Sequence, residues 1–257
     1  MAERGPGVHH VEHVMGTVFT FDVRDEATPQ LRAAVEEAVD WLHHVDAVYS
    51  PYRPQSAISR LARGELTPGQ EPAEVSEVLA LCEEANARTE GRFDARAGGA
   101  LDPCGLVKGW AVEEAARLLE RTGARNYAVN GGGDIRLRGA AAPGRPWTVG
   151  VADPRVAGGL IASVAPGEGG VATSGPAERG AHVLDPRTGQ PARTLLSATV
   201  VGPSLTWSDV YATAAVVHGT AALPWMADIE GYELLVVTAD GTVLATGGFP
   251  HGRAAAG

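Results

Sequence analysis

The chain has 257 residues, of which 44% are hydrophobic and 20% charged, an ordinary composition for a globular protein. Its net charge of −10 argues against a nucleic-acid-binding protein, which would normally carry a basic stripe, and against attraction to anionic lipid. No apolar run approaches the roughly 18 residues of a membrane span, and the first residues lack a signal-peptide core or lipid-attachment cysteine, so we expect a cytoplasmic protein without direct membrane insertion.

The first half of the chain is predicted to be mainly helical. Alternating residues over 9–23 indicate one strand, interrupted at residues 15–17. Apolar residues recur every three or four positions over 29–48, which predicts a helix, and Thr28 before a proline is typical of a helix start. Further helices are predicted over 56–61, 71–89 and 108–122.

The second half is predicted to be mainly strands. These strands are expected over 126–130, 134–138, 147–152, 160–165, 170–173 and 196–202. A helix over 207–218 and a shorter one over 221–229 follow, and turn chemistry at 239–241 indicates a final β-hairpin. Helices early and strands later favour the α+β class, with a largely antiparallel sheet packed against helices.

A glycine-rich segment, residues 102–110, joins a loop to the start of a helix. Glycine at 105 and 109 would let the backbone approach a ligand closely, and a helix start offers N–H groups to an anion. Lys108 could then reach a phosphate, and Asp102 could accept hydrogen bonds from the same ligand. The alternative is an ordinary helix entry with an exposed lysine.

Residues 127–135 read as an apolar strand that ends in three glycines and Asp134. Such a run indicates a tight turn or close backbone packing. It could also present a bare backbone surface to a flat ring or a phosphate. The pattern matches neither the phosphate-binding P-loop nor the dinucleotide fingerprint.

Two further segments carry ionisable and hydroxyl groups. His182 precedes an Asp-Pro turn at Asp185, and Asp209 and Thr213 are four residues apart at the start of an apolar helix. That spacing places both oxygens on one helix face, where they could hold Mg²⁺ with waters or substrate phosphates. The alternatives are a structural histidine, a helix cap and a core threonine, although Ser208 is the better cap candidate.

Taken in order, these segments resemble the ApbE family, the FAD:protein FMN transferases. The matching segments are 15–17, 50–61, 91–94, 102–110, 130–135, 173–175, 182–189 and 208–213. The resemblance spans about 11–248, so it implies one domain over 1–257 and an ApbE-like fold, with FAD in a cleft between two lobes. It also implies a Mg²⁺-dependent transfer of the FMN part of FAD to a threonine or serine of an acceptor flavoprotein, with release of AMP.

The resemblance assigns roles to residues by position. His182 would be the base that takes the proton of the acceptor hydroxyl. Gly105, Asp209 and Thr213 would hold the metal, Gly105 through its carbonyl. The residues implied to contact FAD are Met15, Tyr52, Phe93, Asp94, Asp102, Lys108, Leu195 and Ala212.

Two alternative functions stay open. One is metal-dependent hydrolysis of FAD to FMN and AMP, in which water replaces the protein hydroxyl. The other is a protein that stores or delivers FAD without chemistry. His182, Asp209 and Thr213 favour an enzyme, because a binding protein needs no base.

Overall fold

The computed structural model describes residues 7–67, 69–176 and 183–250. An eight-stranded sheet lies at its centre, in the order β1-β2-β3-β4-β9-β12-β13-β14. These strands are Val8–Val14, Thr17–Val23, Tyr127–Gly131, Asp134–Arg138, Gly169–Ser174, Leu195–Gly202, Glu233–Thr238 and Val243–Ala245. Every neighbouring pair in this sheet is antiparallel, which confirms the predicted α+β class with an antiparallel sheet.

Three two-stranded ribbons accompany the large sheet. Their strands are β5 (Ala140–Ala142) with β6 (Arg145–Pro146), β7 (Val149–Ala152) with β8 (Leu160–Val164), and β10 (Leu184–Asp185) with β11 (Gln190–Pro191). The second ribbon covers one face of the sheet, because Trp147, Val149 and Val164 form a hydrophobic cluster with Leu235 and other sheet residues.

The helices are α1 (Pro29–Tyr49), α2 (Ala57–Ala62), α3 (Ala73–Arg88), α4 (Cys104–Arg121), α5 (Leu205–His218) and α6 (Ala222–Ala227). The predicted start of α1 is confirmed, since the Thr28 hydroxyl accepts the Leu31 N–H at 3.1 Å. The start of α4 was predicted four residues too late. The Asp102 carboxylate accepts the Cys104 N–H at 3.0 Å, so the glycine-rich segment already begins the helix.

The main hydrophobic core lies between the helices and the other face of the sheet. Successive side chains of a strand point to opposite faces of the sheet. In β13, Leu234 and Val236 join the main core, while Leu235 and Val237 belong to the smaller cluster under β7 and β8. The sheet is therefore buried on both faces, and the helices that carry the predicted site pack on the main-core face.

The prediction of a single interrupted strand over 9–23 was wrong, because β1 and β2 form a hairpin. Its two turn residues, Met15 and Gly16, have φ of 53° and 70°. Positive φ at both positions is typical of the turn that best matches the twist of a two-residue hairpin. A two-residue turn preserves the alternation of faces, so the sequence pattern did not reveal the reversal.

Within the described ranges, none of the helices combines the length and apolar character needed to cross a lipid bilayer.

Candidate functional site

Two adjoining cavities open beside the start of α4. One has a volume of about 330 Å³ and the other about 560 Å³, and both are lined by Tyr52, Cys104 and Lys108. Six more of the predicted site residues line the smaller cavity, namely Phe93, Asp94, Asp102, Gly105, Asp209 and Thr213. Val183, the chain neighbour of His182, lines it as well. Met15 lines the larger one. Residues predicted from separate segments therefore meet at one place.

Helices α4 and α5 form one wall of the smaller cavity and pack closely at Gly109. The Gly109 N–H donates to Oδ2 of Asp209 at 3.1 Å. A Cβ at position 109 would lie 2.9 Å from the Asp209 Cβ and 3.1 Å from the Leu205 carbonyl oxygen. The absence of a side chain at Gly109 thus allows the approach that brings Asp209 beside α4.

Helix α5 is capped by Ser204, so the expectation that Ser208 caps it was wrong. The Ser204 hydroxyl accepts the Trp207 N–H at 3.4 Å, and Ser208 lies inside the helix, where its hydroxyl donates to the Ser204 carbonyl at 2.9 Å. A buried carboxylate, Glu113 of α4, closes this end by accepting from the Thr206 N–H at 3.0 Å and from the Ser204 hydroxyl at 2.7 Å. Asp209 consequently starts the second turn of α5.

Thr213 lies one helical turn beyond Asp209 and also faces the smaller cavity. Its hydroxyl is 3.1 Å from that of Ser174, at the end of β9. Ser174 lines the same cavity and is 6% exposed. This contact links the helix to the sheet and limits the rotation of the Thr213 side chain.

Lys108 is held by carboxylates. Its ammonium forms an ion pair with Oδ2 of Asp134 and lies 3.7 Å from Oδ2 of Asp209. Asp134 opens β4 after the three glycines and is only 1% exposed. The sequence indicated a turn there but gave no partner for this acid, so Asp134 was missed as a site residue. The sequence signal that could have indicated it is an acid at the first position of a strand, directly after three glycines.

The loop between α3 and α4 supplies the other wall. The Phe93 N–H donates to the Thr89 hydroxyl at 2.9 Å, which fixes the ring in the core at 3% exposure. A Cβ on Gly105 would lie 3.1 Å from Cε2 of Phe93, so the glycine makes room for this ring. Asp94 accepts the Arg96 N–H at 2.8 Å and thereby stabilises the turn beside the cavity.

Met15 and Tyr52 lie near the rim of the larger cavity. Tyr52 is 89% exposed, which leaves its ring accessible to a ligand. Met15 adopts positive φ in the β1–β2 turn, a conformation uncommon for a residue other than glycine. Such backbone conformations are enriched at ligand-binding sites.

Leu195 and Ala212 are not brought to either cavity. Both are 0% exposed and belong to the main core, Leu195 on β12 and Ala212 in α5. Their contact with a ligand stays a prediction.

His182 lies outside the described residues. The next residue, Val183, lines the smaller cavity, as does Leu184. The predicted turn at Asp185 is confirmed, because its carboxylate accepts the Arg187 N–H at 3.0 Å and its carbonyl accepts the Gly189 N–H at 2.8 Å. Hydrogen bonding from the Arg187 side chain holds the pKa of Asp185 below its usual range.

The predicted metal ligands differ in chemistry but line one cavity. Gly105, Asp209 and Thr213 offer a backbone carbonyl, a carboxylate and a hydroxyl. Over the described ranges, histidine, cysteine and acidic side chains form no group of three or more that could hold a metal. The oxygen donors of Gly105, Asp209 and Thr213 are of the kind that suits a hard cation such as Mg²⁺, which takes one or two carboxylates and completes its shell with water or substrate phosphates.

The structure defines an α+β protein with two adjoining cavities, the smaller of which is lined by Lys108 and by several carboxylate and hydroxyl side chains. The chain belongs to the ApbE family, whose model matches residues 15–100 and 95–236.

Named relatives and solved structures agree with this membership. The chain is 31% identical over 151 residues to the FAD:protein FMN transferase of Salmonella typhimurium, covering 55% of this chain and 43% of that protein. It is 34% identical over 129 residues to the one of Vibrio cholerae, covering 46% and 39%. The chain thus spans less than half the length of these curated relatives.

The fold similarity extends further than the sequence similarity. The ApbE protein of Thermotoga maritima superimposes with a TM-score of 0.81 at 22% identity, over 94% of this chain and 97% of the other. Flavin transferase ApbE of Vibrio cholerae gives 0.78 at 23% identity, over 93% and 97%. The described fold is therefore that of ApbE proteins.

Proposed function

We propose that this protein is a Mg²⁺-dependent transferase that moves the FMN part of FAD to a threonine or serine hydroxyl of an acceptor flavoprotein and releases AMP. Family membership and the activity named for its relatives support this proposal. The main structural support is that Gly105 and Lys108 line the same cavity as Asp209 and Thr213, although about a hundred residues separate the two pairs in sequence.

The proposed chemistry begins with a hydroxyl, which is a weak nucleophile at neutral pH. We assign to His182 the removal of its proton as the oxygen bonds to the FMN phosphorus. The bond from that phosphorus to the AMP oxygen breaks at the same time. Mg²⁺ held by Gly105, Asp209 and Thr213 would neutralise the charge on the departing AMP.

The two cavities together offer space for a dinucleotide. In this proposal Met15 and Tyr52 contact one part of FAD from the larger cavity, and Phe93, Asp94, Asp102 and Lys108 contact it from the smaller. Exposed Tyr52, shared by both cavities, is suited to stacking on a ring. Leu195 and the Ala212 backbone complete the assignment as predictions from the family.

One incubation tests the function. The purified chain is mixed with FAD, MgCl₂ and each of a panel of flavin-free flavoprotein domains, and intact mass and AMP are measured. An acceptor mass increased by FMN, with equal AMP, supports transfer. AMP without that increase indicates FAD hydrolysis, and neither product indicates binding without chemistry.

Matched variants make the same assay specific for the site. Asp209→Ala is expected to abolish transfer and its dependence on Mg²⁺, because the metal loses its carboxylate. Asp240→Ala is the control, since Asp240 lies in the β13–β14 turn and accepts its hydrogen bonds from Thr238 and Thr242. Equal activity in the two variants would contradict the assignment. The cytoplasmic location stays a prediction, which cell fractionation would test.

A further inference from the structure

Three charged side chains, Lys108, Asp134 and Asp209, form a buried triad that links α4, the sheet and α5. Their exposed fractions are 13%, 1% and 2%. The Lys108 ammonium pairs with Oδ2 of Asp134 and is 3.7 Å from Oδ2 of Asp209. Two buried carboxylates therefore share one cation, and the formal charge of the triad is −1.

Asp134 is fixed independently of Lys108. Its Oδ1 accepts the Thr173 N–H of the neighbouring strand β9 at 3.1 Å. The turn before it is also ordered, because the Gly133 N–H donates to the Asn130 side chain at 2.9 Å. Asp134 is thus a buried anion held in place by the sheet, whereas Lys108, which lines both cavities, has a long and flexible side chain.

The position of the lysine matters because an ammonium and a divalent cation compete for the same carboxylate. Removing a buried partner charge leaves the remaining one uncompensated, at a large cost. If Asp134 carried no charge, Asp209 would be the remaining carboxylate partner of Lys108 among the ion pairs of the described residues. The ammonium would then neutralise the proposed metal ligand.

We propose that Asp134 is a positioning residue that holds the Lys108 ammonium away from Asp209 and so preserves the affinity of the cleft for a divalent cation. The inference rests on the proposed metal site, but it concerns the charge balance of the chain's own side chains. It gives the acid that follows the glycine turn a role in cation binding rather than in direct contact with FAD.

Mn²⁺ alone is a suitable probe, because its binding to the full chain can be followed by water-proton relaxation without FAD or turnover. Asp134→Asn keeps the shape and the Oδ1 acceptor but changes the triad charge from −1 to 0. We expect Mn²⁺ to bind roughly 10- to 100-fold more weakly, the usual size of the effect when the groups that surround a metal ligand are altered.

The decisive measurement is the double variant Asp134→Asn with Lys108→Met. It removes both members of the pair and returns the charge to −1, so Mn²⁺ affinity is expected to recover to within roughly threefold of wild type. A purely structural role for Asp134 predicts no recovery. Lys108→Met alone is expected to bind Mn²⁺ at least as tightly as wild type, which tests the idea even if Asp134→Asn does not fold. Thermal unfolding checks the fold of every variant.

Several results would overturn the proposal. The proposal is wrong if Asp134→Asn has the Mn²⁺ affinity of wild type, or if the double variant binds Mn²⁺ as weakly as Asp134→Asn. It is also wrong if Lys108→Met binds Mn²⁺ more weakly than wild type. The same holds if wild type binds no Mn²⁺ or binds it equally well after Asp209→Asn. This assay needs no reaction. If FMN transfer failed while Mn²⁺ binding behaved as expected, the proposed function would be rejected but the positioning role of Asp134 would not.

Discussion

The backbone N–H of Gly109 donates a 3.1 Å hydrogen bond to the carboxylate of Asp209, joining two helices that are a hundred residues apart in sequence. The contact has two consequences. It orients one oxygen of Asp209 toward α4, and it requires a residue without a side chain at 109. The orientation of the proposed metal ligand and the packing of the two helices therefore depend on the same contact.

Gly109→Ala is expected to weaken both properties. The new Cβ would lie 2.9 Å from that of Asp209 and 3.1 Å from the Leu205 carbonyl, so the helices must separate. We expect a loss of about 1–3 kcal/mol in the free energy of unfolding, as for other overpacked cores, together with weaker Mn²⁺ binding. Urea unfolding and Mn²⁺ titration measure the two effects.

The matched control for this prediction is Gly247→Ala. A Cβ at 247 would meet no atom within 4 Å, so its effect on stability should stay within about 0.5 kcal/mol. If Gly109→Ala behaved like this control, close packing would not explain the glycine.

Glu113 stabilises the start of α5. Its Oε2 accepts from the Thr206 N–H at 3.0 Å and from the Thr206 and Ser204 hydroxyls at 2.6 and 2.7 Å. Negative charge is favourable at a helix N-terminus, and hydrogen bonds to a charged group are stronger than neutral ones. Glu113→Gln should therefore lower the free energy of unfolding by about 1–2 kcal/mol.

The neighbouring substitution Glu114→Gln is the control for Glu113. Glu114 pairs with Arg117 on the helix surface, and such pairs contribute about 0–1 kcal/mol. Chemical unfolding of both variants under identical conditions gives the comparison. A Glu114 effect as large as that of Glu113 would contradict the capping role.

Local signals predicted much of the fold. The helix α1 and its Thr28 cap followed from a period of three to four residues and from cap chemistry, which depend on near neighbours. The β1–β2 hairpin was missed because a two-residue turn leaves the alternation intact. The start of α5 was misplaced because Ser204 and Ser208 are both good caps, and a contact with distant Glu113 decides between them.

The sequence predicted the site residues that lie within family motifs. It did not predict the contacts between residues that are distant in the chain. Lys108 was expected to reach a phosphate, yet its ammonium contacts Asp134 from the far side of a glycine turn. Neither the spacing nor the residue types of these two segments encode that meeting. It results from the packing of α4 against the sheet, which brings distant residues together.

His182 provides a prediction about the chemical step. His182→Ala should slow FMN transfer by roughly 10²- to 10⁴-fold, the usual contribution of a general base. Mn²⁺ binding should be unaffected, because the proposed cation ligands are Gly105, Asp209 and Thr213. Single-turnover transfer and Mn²⁺ relaxation measure these separately. A parallel loss of both would show that His182 acts on the site as a whole rather than as the base.

His218, in the last turn of α5, should make stability depend on pH. Its ring stacks on Trp225 with centroids 4.6 Å apart. Burial lowers the pKa of His218 below its usual value, and the nearby Arg92 and Arg187 act in the same direction, against Glu90. The unfolded chain therefore binds the proton more readily than the folded one as pH falls below about 6.5.

Because the unfolded chain binds this proton more readily, the free energy of unfolding decreases as the pH falls. The stability contribution of neutral His218 is present above pH about 6.5 and is lost as pH falls from there through the lower folded-state pKa. His218→Phe, which keeps an aromatic ring on Trp225, should reduce the fall in melting temperature between pH 7.5 and pH 5. His13→Phe changes an exposed histidine on β1 and should keep the wild-type slope. If the two variants have the same slope, protonation of His218 does not govern acid stability.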